Sequence, residues 1–441
     1  MASRERRVGL RAWLILPGAV VFSVVFSVVF SLATASPARP AGMSGPDPGI
    51  KAMGMAGAFI AQASDPSAIY YNPGGLALMK KGKLTAGGGT VYHNESQYQG
   101  LPPGIGQGTT GNQDKFYSWP LHAYAVMPLG KTLKVGLGVN SPFAFKNRWA
   151  NSHDDFPGRF ISTASELQTY DSSATLAWQA TKSFGLGASV VYRTSRLSQS
   201  RNLSAFNSAT GLPADIASIN VDTDYNGGVG WQLGFLHKIG KQFSWGLVYR
   251  SAINIQQTGA GRLTQISTGD AQVDALNRAT IPYDRDLPVN SVLNYPATAG
   301  LGMAYWPSDK TVFEGDVNWT GWSHFKGLGI SFPLNPQYSQ TLQGPWKDSL
   351  AFRFGVRFTL PKGTQIRLGA AYEESPQPDA SLDPFLPDAR RSILSAGIGK
   401  DWLDVAFQFI APENRTTRSN FNSLNGSYSG NTYILGVSVS K

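Results

Sequence analysis

The chain has 441 residues, 42% apolar, 12% aromatic and only 15% charged, with 49 Gly, no Cys and a net charge of +10. So many aromatic side chains exclude a disordered chain, and the lack of Cys excludes a disulfide framework, a thiol nucleophile and a thiolate metal site. Beyond about residue 33 no apolar run reaches the roughly 18 residues a membrane helix needs, which excludes a helical membrane bundle.

Taken in chain order, residues 1–35 read as an export signal. Arg4, Arg6, Arg7 and Arg11 form a basic start, residues 12–32 are almost wholly apolar, and Ala33-Thr34-Ala35 is a small-x-small cleavage site. Ala41 is a second candidate cleavage position, and an uncleaved membrane anchor is the alternative. Residues 36–82 come next. From residue 44 they are rich in Gly, Ala, Ser, Asp and Pro and do not alternate. Gly49 to Ala63 suits a short small-residue helix, and Asp65-Pro66 and Asn72-Pro73-Gly74-Gly75 are turn signals. This stretch is a candidate plug for a barrel; an ordered periplasmic tail is the competing reading.

From residue 83 to 441 the dominant signal is period-two alternation. In 350–360, Leu350, Phe352, Phe354, Val356, Phe358 and Leu360 share one face and Ala351, Arg353, Gly355, Arg357 and Thr359 the other. About fourteen such segments are predicted: 83–93, 117–128, 132–141, 170–180, 184–196, 228–239, 243–256, 294–307, 310–320, 349–360, 364–374, 391–400, 402–411 and 430–440. Short connections, such as Gly130-Lys131 and Lys400-Asp401, alternate with long ones at 94–116, 142–169, 197–227, 257–293, 321–348, 375–390 and 412–429. An even strand number with short and long connections on opposite ends describes an all-β, up-and-down transmembrane barrel with periplasmic turns and external loops. Lipid requires it to close, because an open edge leaves N–H and C=O groups unpaired in hydrocarbon.

The polar residues dealt to the lumen face are the candidate site. Glu314, Asp316 and Asn318 alternate with Phe313, Val317 and Trp319; the following strand supplies Arg353 and Arg357, and the one after it Arg367 and Glu373. Opposite charges on adjacent strands predict cross-strand ion pairs that fix the wall and anchor the plug. The functional alternative is that one arginine, Arg250, binds a substrate carboxylate. His93, His122, His153, His237 and His324 have no metal-like spacing, and no nucleophile elbow or phosphate loop occurs. An enzyme, a cofactor and a metal are therefore not expected. No nucleic-acid framework accompanies the basic balance. Lys131, Lys182, Lys241, Lys310, Lys362 and Lys400 sit in or beside the short turns, which places positive charge on the periplasmic rim.

Several motifs, in order, carry a resemblance to a known family. Ser64-Asp65-Pro66-Ser67-Ala68-Ile69-Tyr70-Tyr71-Asn72-Pro73-Gly74-Gly75-Leu76 resembles the plug motif of the FadL-type outer-membrane transporters, which typically read Asn-Pro-Ala where this chain has Asn72-Pro73-Gly74. Gly138-Val139-Asn140-Ser141-Pro142-Phe143 resembles the end of the family's third strand. Phe156-Pro157-Gly158-Arg159-Phe160, Tyr249-Arg250-Ser251 and Trp319 to Phe325 match further along. The densest match is Tyr372 to Asp379 followed by Leu386 to Arg391. Lys441 departs from the aromatic residue that commonly ends outer-membrane strands. The resemblance implies a 14-stranded barrel in the Gram-negative outer membrane with an N-terminal hatch at 36–82, acting as a monomer. It implies passive transport of hydrophobic compounds, by default long-chain fatty acids, with capture from outside, hatch rearrangement and lateral release into outer-membrane lipid. Asp65, Asn72, Pro73 and Gly74 would form the hatch motif. Pro142 cannot donate a ladder hydrogen bond, so Asn140, Ser141, Pro142 and Phe143 are the candidate lateral opening; a strand ending in a Pro turn is the plainer reading. An aromatic-hydrocarbon channel of the same family is the alternative, and outside it an adhesin, a phospholipase barrel or a general porin.

Overall fold

The computed structural model describes residues 42–93, 96–149, 156–207 and 212–441. The export signal predicted at 1–35 lies outside the described residues.

Period-two alternation becomes a wall of fourteen antiparallel strands. They are β1 (Lys83–His93), β2 (Phe116–Ser118 and Leu121–Leu129), β3 (Leu133–Asn140, resuming as Ala144–Arg148), β4 (Ala164–Thr181), β5 (Phe184–Asn207), β6 (Leu212–Thr223 and Asn226–Ile239), β7 (Phe243–Arg250 and Ile253–Gln265), β8 (Asp286–Tyr295 and Thr298–Ser308), β9 (Thr311–Thr320), β10 (Ser349–Thr359), β11 (Gln365–Glu373), β12 (Arg391–Lys400), β13 (Leu403–Pro412) and β14 (Thr432–Ser440). Each strand pairs with its chain neighbours, and β1 closes on β14 from Thr85 opposite Ser440 to His93 opposite Thr432. Lys441 extends that pairing by exchanging two backbone hydrogen bonds with Leu84 at 2.9 Å each. Closure satisfies the backbone that lipid cannot. Leu137, Leu176, Val190, Leu233, Leu301 and Leu394 are exposed on the outer face, as lipid-facing positions must be.

The strands differ from expectation at the outer end. Of the stretches expected as long loops, 197–227 is largely strand and 142–169 and 257–293 are strand at their ends, so β4 to β8 rise well beyond the lipid band. The reason is chemical. Above the membrane the outward face meets water, so outward Arg196, Ser198 and Ser200 alternate with inward Ser195, Leu197 and Gln199. The period survives while the apolar contrast that reveals it fades. Helix α4 (Ala271–Thr280), capped by Asp270 accepting from the N–H groups of Gln272 and Val273, tops this tier. A four-stranded sheet of loop segments (Gln97–Gly100, Thr110–Asn112, Arg415–Thr417, Gly426–Ser429) covers another part of the mouth.

Residues 42–82 lie inside the barrel as a hatch. Their helices are single turns, α1 (Ile50–Met53), α2 (Ala68–Tyr71) and α3 (Gly74–Ala77), shorter than the Gly49–Ala63 helix the composition suggested. Gly and Ala at this density let hatch backbone lie directly on wall backbone, and that packing substitutes for helix length. Met53, Met55, Phe59, Ile60, Ile69 and Leu76 are all buried.

Candidate functional site

The hatch meets the wall in three different ways. First, glycine contacts hold the hatch motif. The Asn72 side chain donates to Ile60 O at 2.9 Å and to Phe235 O of β6 at 2.8 Å, while its oxygen accepts from Gly74 N at 3.0 Å. Pro73 lies against Gly187 of β5 and Gly234 of β6, where an added Cβ would come within 2.4 Å of it. A Cβ on Gly74 would stand 2.8 Å from the backbone of Leu236. This explains why the chain reads Gly where the family pattern has Ala. Asp65 accepts from Ser67 N at 2.9 Å and Ser67 Oγ at 2.5 Å, and Lys51 stands between Asp65 (3.8 Å) and Asp404 of β13 (3.7 Å).

Second, β9 supplies carboxylates that accept from hatch backbone. Glu314 Oε1 accepts from Ala61 N at 2.5 Å and Gln62 N at 3.2 Å, and Oε2 from Gln62 Nε2 at 2.7 Å. Asp316 Oδ2 accepts from Phe59 N at 2.8 Å and Ile60 N at 3.1 Å. Ser244 of β7 completes the turn by donating to Ala61 O at 2.6 Å. The expected cross-strand ion pairs of Glu314 and Asp316 with Arg353 and Arg357 are corrected by this geometry. Glu314 stands opposite Gly355, and Arg357 is flanked by Val312 and Arg367, so neither meets an opposite charge across the ladder. Asp316 does stand opposite Arg353. Yet Arg353 turns to Glu373, to Asp47 of the hatch at 3.5 Å and to Ala56 O at 2.7 Å. Buried hatch N–H groups have no water to bond, and the carboxylates are the acceptors within reach. Glu373 also pairs with Arg391, and Arg367 pairs with Asp404 at 2.8 Å.

Third, the β3 wall is broken. Pairing of β2 with β3 ends at Ala123 opposite Val139, and β3 shifts register against β4 between Asn140 and Ala144. Asn140, Ser141 and Phe143 are buried. The backbone of this kink bonds to the hatch entrance instead of β2. Gly45 N donates to Pro142 O at 2.9 Å and Ala144 N to Met43 O at 3.0 Å. Thr169 of β4 fills the gap with its hydroxyl, which donates to Phe143 O at 2.5 Å and accepts from Phe143 N at 3.2 Å. The Phe143 ring packs on Tyr295 and Trp322, with Arg193 4.6 Å from its centroid. Arg193 is itself held by Asp171 through two bonds of 2.7 Å. The sequence reading missed Thr169, Asp171 and Arg193, although alternation does place all three on inward faces of adjacent strands.

A cavity of about 390 Å³ borders this break at Ser141 and Ala144. At its lumen end it is lined by Asp47, Arg353 and Arg391, and at its outer end by Trp119, Pro120 and Tyr170, of which Trp119 and Tyr170 are exposed on the outer face. A second cavity of about 110 Å³ adjoins it in the lumen, lined by Tyr70, Phe143, Val248, Arg250 and Trp322 among others. Arg250 donates to Thr298 Oγ1 at 3.2 Å and to Tyr70 O, and stacks 4.2 Å from the Tyr70 ring centroid. Its Nε is buried with no partner, and among the described residues it pairs with no carboxylate.

The external loop between β11 and β12 closes over the hatch entrance. Asp388 accepts from Gly42 N at 2.9 Å and from Ser375 Oγ at 2.5 Å, and Arg415 donates to its carbonyl at 2.9 Å. Burial pushes the carboxyls of Asp383 and Asp388 up to about 7.

The family model described as outer membrane protein transport protein (OMPP1/FadL/TodX) matches residues 31–441. The chain belongs to this family. The FadL-family chain is 23% identical over 355 residues to the long-chain fatty acid transport protein of Escherichia coli O6:H1, covering 76% of this chain and 78% of that one. Among solved structures it resembles a Pseudomonas aeruginosa FadL homologue with TM-score 0.72 and 21% identity over 91% of this chain and 99% of the other. The toluene transporter TodX of P. putida gives TM-score 0.66 at 15% identity, covering 90% and 99%. The protein is thus an outer-membrane β-barrel transporter for hydrophobic compounds, and members of its family are transporters or channels, not enzymes.

Proposed function

We propose that this FadL-family protein carries long-chain fatty acids, as a monomer, and releases them sideways through the β3 break into outer-membrane lipid. The observation that carries the reading is the 390 Å³ cavity, which joins the lumen to Trp119 and Tyr170 on the lipid face. An apolar chain gains about 0.8 kcal/mol for each CH₂ kept out of water, so a route ending in lipid suits it better than an aqueous channel. Ser141 lines that route beside Asn140, Pro142 and Phe143 of the kink, and movement of Ser44 and Gly45 off the kink is the hatch rearrangement that widens it.

Fatty acid is favoured over aromatic hydrocarbon by Arg250. A half-buried guanidinium that pairs with no carboxylate among the described residues, beside a cavity lined in part by Tyr70, Phe143 and Trp322, supplies what a carboxylate head needs and a hydrocarbon does not. The lumen arginines Arg353 and Arg391 already hold acids, and Arg357 lies against Arg367, so they serve the wall and hatch. Uptake of radiolabelled oleate and of toluene by cells expressing Arg250→Ala tests the choice. Oleate uptake is expected to fall about tenfold, the loss of roughly one charge-assisted bond, with toluene entry unchanged. Equal losses for both substrates would assign Arg250 to the hatch and return the aromatic channel to first place.

A further inference from the structure

The wall contains a second break, between β6 and β7. Above it Thr223 stands opposite Gly259 and below it Gln232 opposite Arg250, in one continuous register. Between those points the ladder is interrupted among the described residues; Asp224 N donates to Thr258 O and Ser251 N to Trp231 O, each at 2.9 Å, while Thr258 N donates to Asn226 Oδ1 and Trp231 N to Ser251 Oγ, each at 3.0 Å. The cause lies in two slips at different heights. On β6 the buried positions change from Val221 and Thr223 to Gly230 and Gln232, a one-residue slip near 224–225. On β7 they change from Ser244, Gly246 and Val248 to Ile253, Ile255 and Gln257, a slip at 251–252. Residues 226–230 and 253–257 therefore face each other out of phase and form no regular ladder. β7 keeps β8 as a partner because β8 slips at the same level, at 296–297.

This seam stands at the height of the β3 kink. Asn226 pairs with Ser195, Ser195 pairs with Thr169, and Thr169 bonds Phe143. A stretch without ladder pairing is a weak line in a barrel wall. Its β6 side is built from Gly227, Gly228 and Gly230, and its inner face is covered by Ile253. A Cβ on Gly228 would stand 2.8 Å from Ile253, and one on Gly230 2.6 Å. The lumen cavity lined by Val248 and Arg250 lies at its lower end, and an outer-surface groove of about 620 Å³, lined by Asp224, Tyr225, Thr258 and Gly259, at its upper end.

We propose that the β6–β7 seam is a second lateral portal, through which apolar molecules pass between the lumen and the outer leaflet when Ile253 swings aside. The inference rests on the lateral-release reading above. Val229 and Asn254 lie on the outward face on either side of the seam, and the chain has no Cys. Val229→Cys with Asn254→Cys, joined in the full-length protein in cells by a cleavable dithiol-specific cross-linker, is expected to lower oleate uptake about twofold or more, with recovery on cleavage. Ile253→Ala is expected to raise uptake by a similar factor. Heat-modifiable migration on gels verifies that each variant is a folded barrel. Unchanged uptake in both variants, with uptake abolished by cross-linking Pro120→Cys to Ser141→Cys at the β3 break, overturns the portal and leaves lateral release standing. If neither cross-link alters uptake, lateral release itself fails and the portal with it.

Discussion

The two sides of the lumen treat the hatch differently. On the side of β9 to β13 it is gripped: Glu314, Asp316, Arg353 and Gln408 each bond hatch backbone, and Gln408 donates to Met53 O at 3.1 Å and to Asp47 at 2.8 Å. On the side of β2 to β4, Tyr124 donates to Pro48 O at 2.7 Å and Lys134 to Ala77 O at 2.6 Å, while at the kink the hatch is tied by backbone bonds from Gly45 and Ala144. The first wall has a complete ladder and buried ionised groups; the second has a broken ladder and a cavity. Side chains hold the body of the hatch on both flanks, and its entrance at Met43 to Gly45 is tied to the broken strand by backbone bonds.

The largest test of this division is to remove the grip. Glu314→Ala with Asp316→Ala leaves the N–H groups of Phe59, Ile60, Ala61 and Gln62 without acceptors, at about 1–3 kcal/mol for each buried group. The hatch is expected to undock while the barrel still migrates as folded, and sensitivity to a large hydrophilic antibiotic should rise steeply. An unchanged antibiotic threshold would mean that the glycine seat at Asn72 and Pro73 suffices. The opposite flank is tested by the cross-link between Pro120→Cys and Ser141→Cys, which should abolish oleate uptake with antibiotic sensitivity unaltered. If it admits antibiotic, the two flanks are not independent.

A smaller effect is expected from Thr169→Val, which removes one hydroxyl that both donates to and accepts from Phe143. Such a loss is worth about 1–3 kcal/mol at the kink and should change uptake severalfold, with no effect on antibiotic entry. The least effect is the pH response of the loop over the hatch entrance. Asp383 and Asp388 have carboxyls raised to about 7 in the folded loop. A raised folded value means that the stability they contribute is full below the unfolded carboxyl range near ~4 and is lost as pH rises through about 7. Limited proteolysis between Ser375 and Arg390 should therefore quicken from about pH 4.5 to about pH 7.5, and Asp388→Asn should flatten that rise. A rate independent of pH would show that the donors from Gly42 and Ser375 hold the charged form equally well.

Much of this was legible beforehand. The alternation in 350–360 gave β10 nearly to the residue, and the turns at Gly130-Lys131 and Lys400-Asp401 placed the periplasmic end. The outer halves of β4 to β8 were not legible, because Ser, Asn, Gln and Thr on both faces keep the period but lose the contrast. In the candidate site, Glu314 and Asp316 were readable as inward carboxylates. Their partners were not, since the N–H groups of Phe59 to Gln62 lie about 250 residues away in the chain and carry no side-chain signal.

By itself the sequence determined that the wall is a closed barrel and that a small-residue segment precedes it, since lipid demands alternation outside and a satisfied backbone everywhere. Only the tertiary structure decided where that wall is incomplete. A one-residue slip leaves the composition and almost all of the alternation intact, as at 141–143, 224–225 and 251–252. Whether it breaks the ladder depends on whether the neighbouring strand slips at the same height, and that relation between strands is fixed only when they are brought side by side.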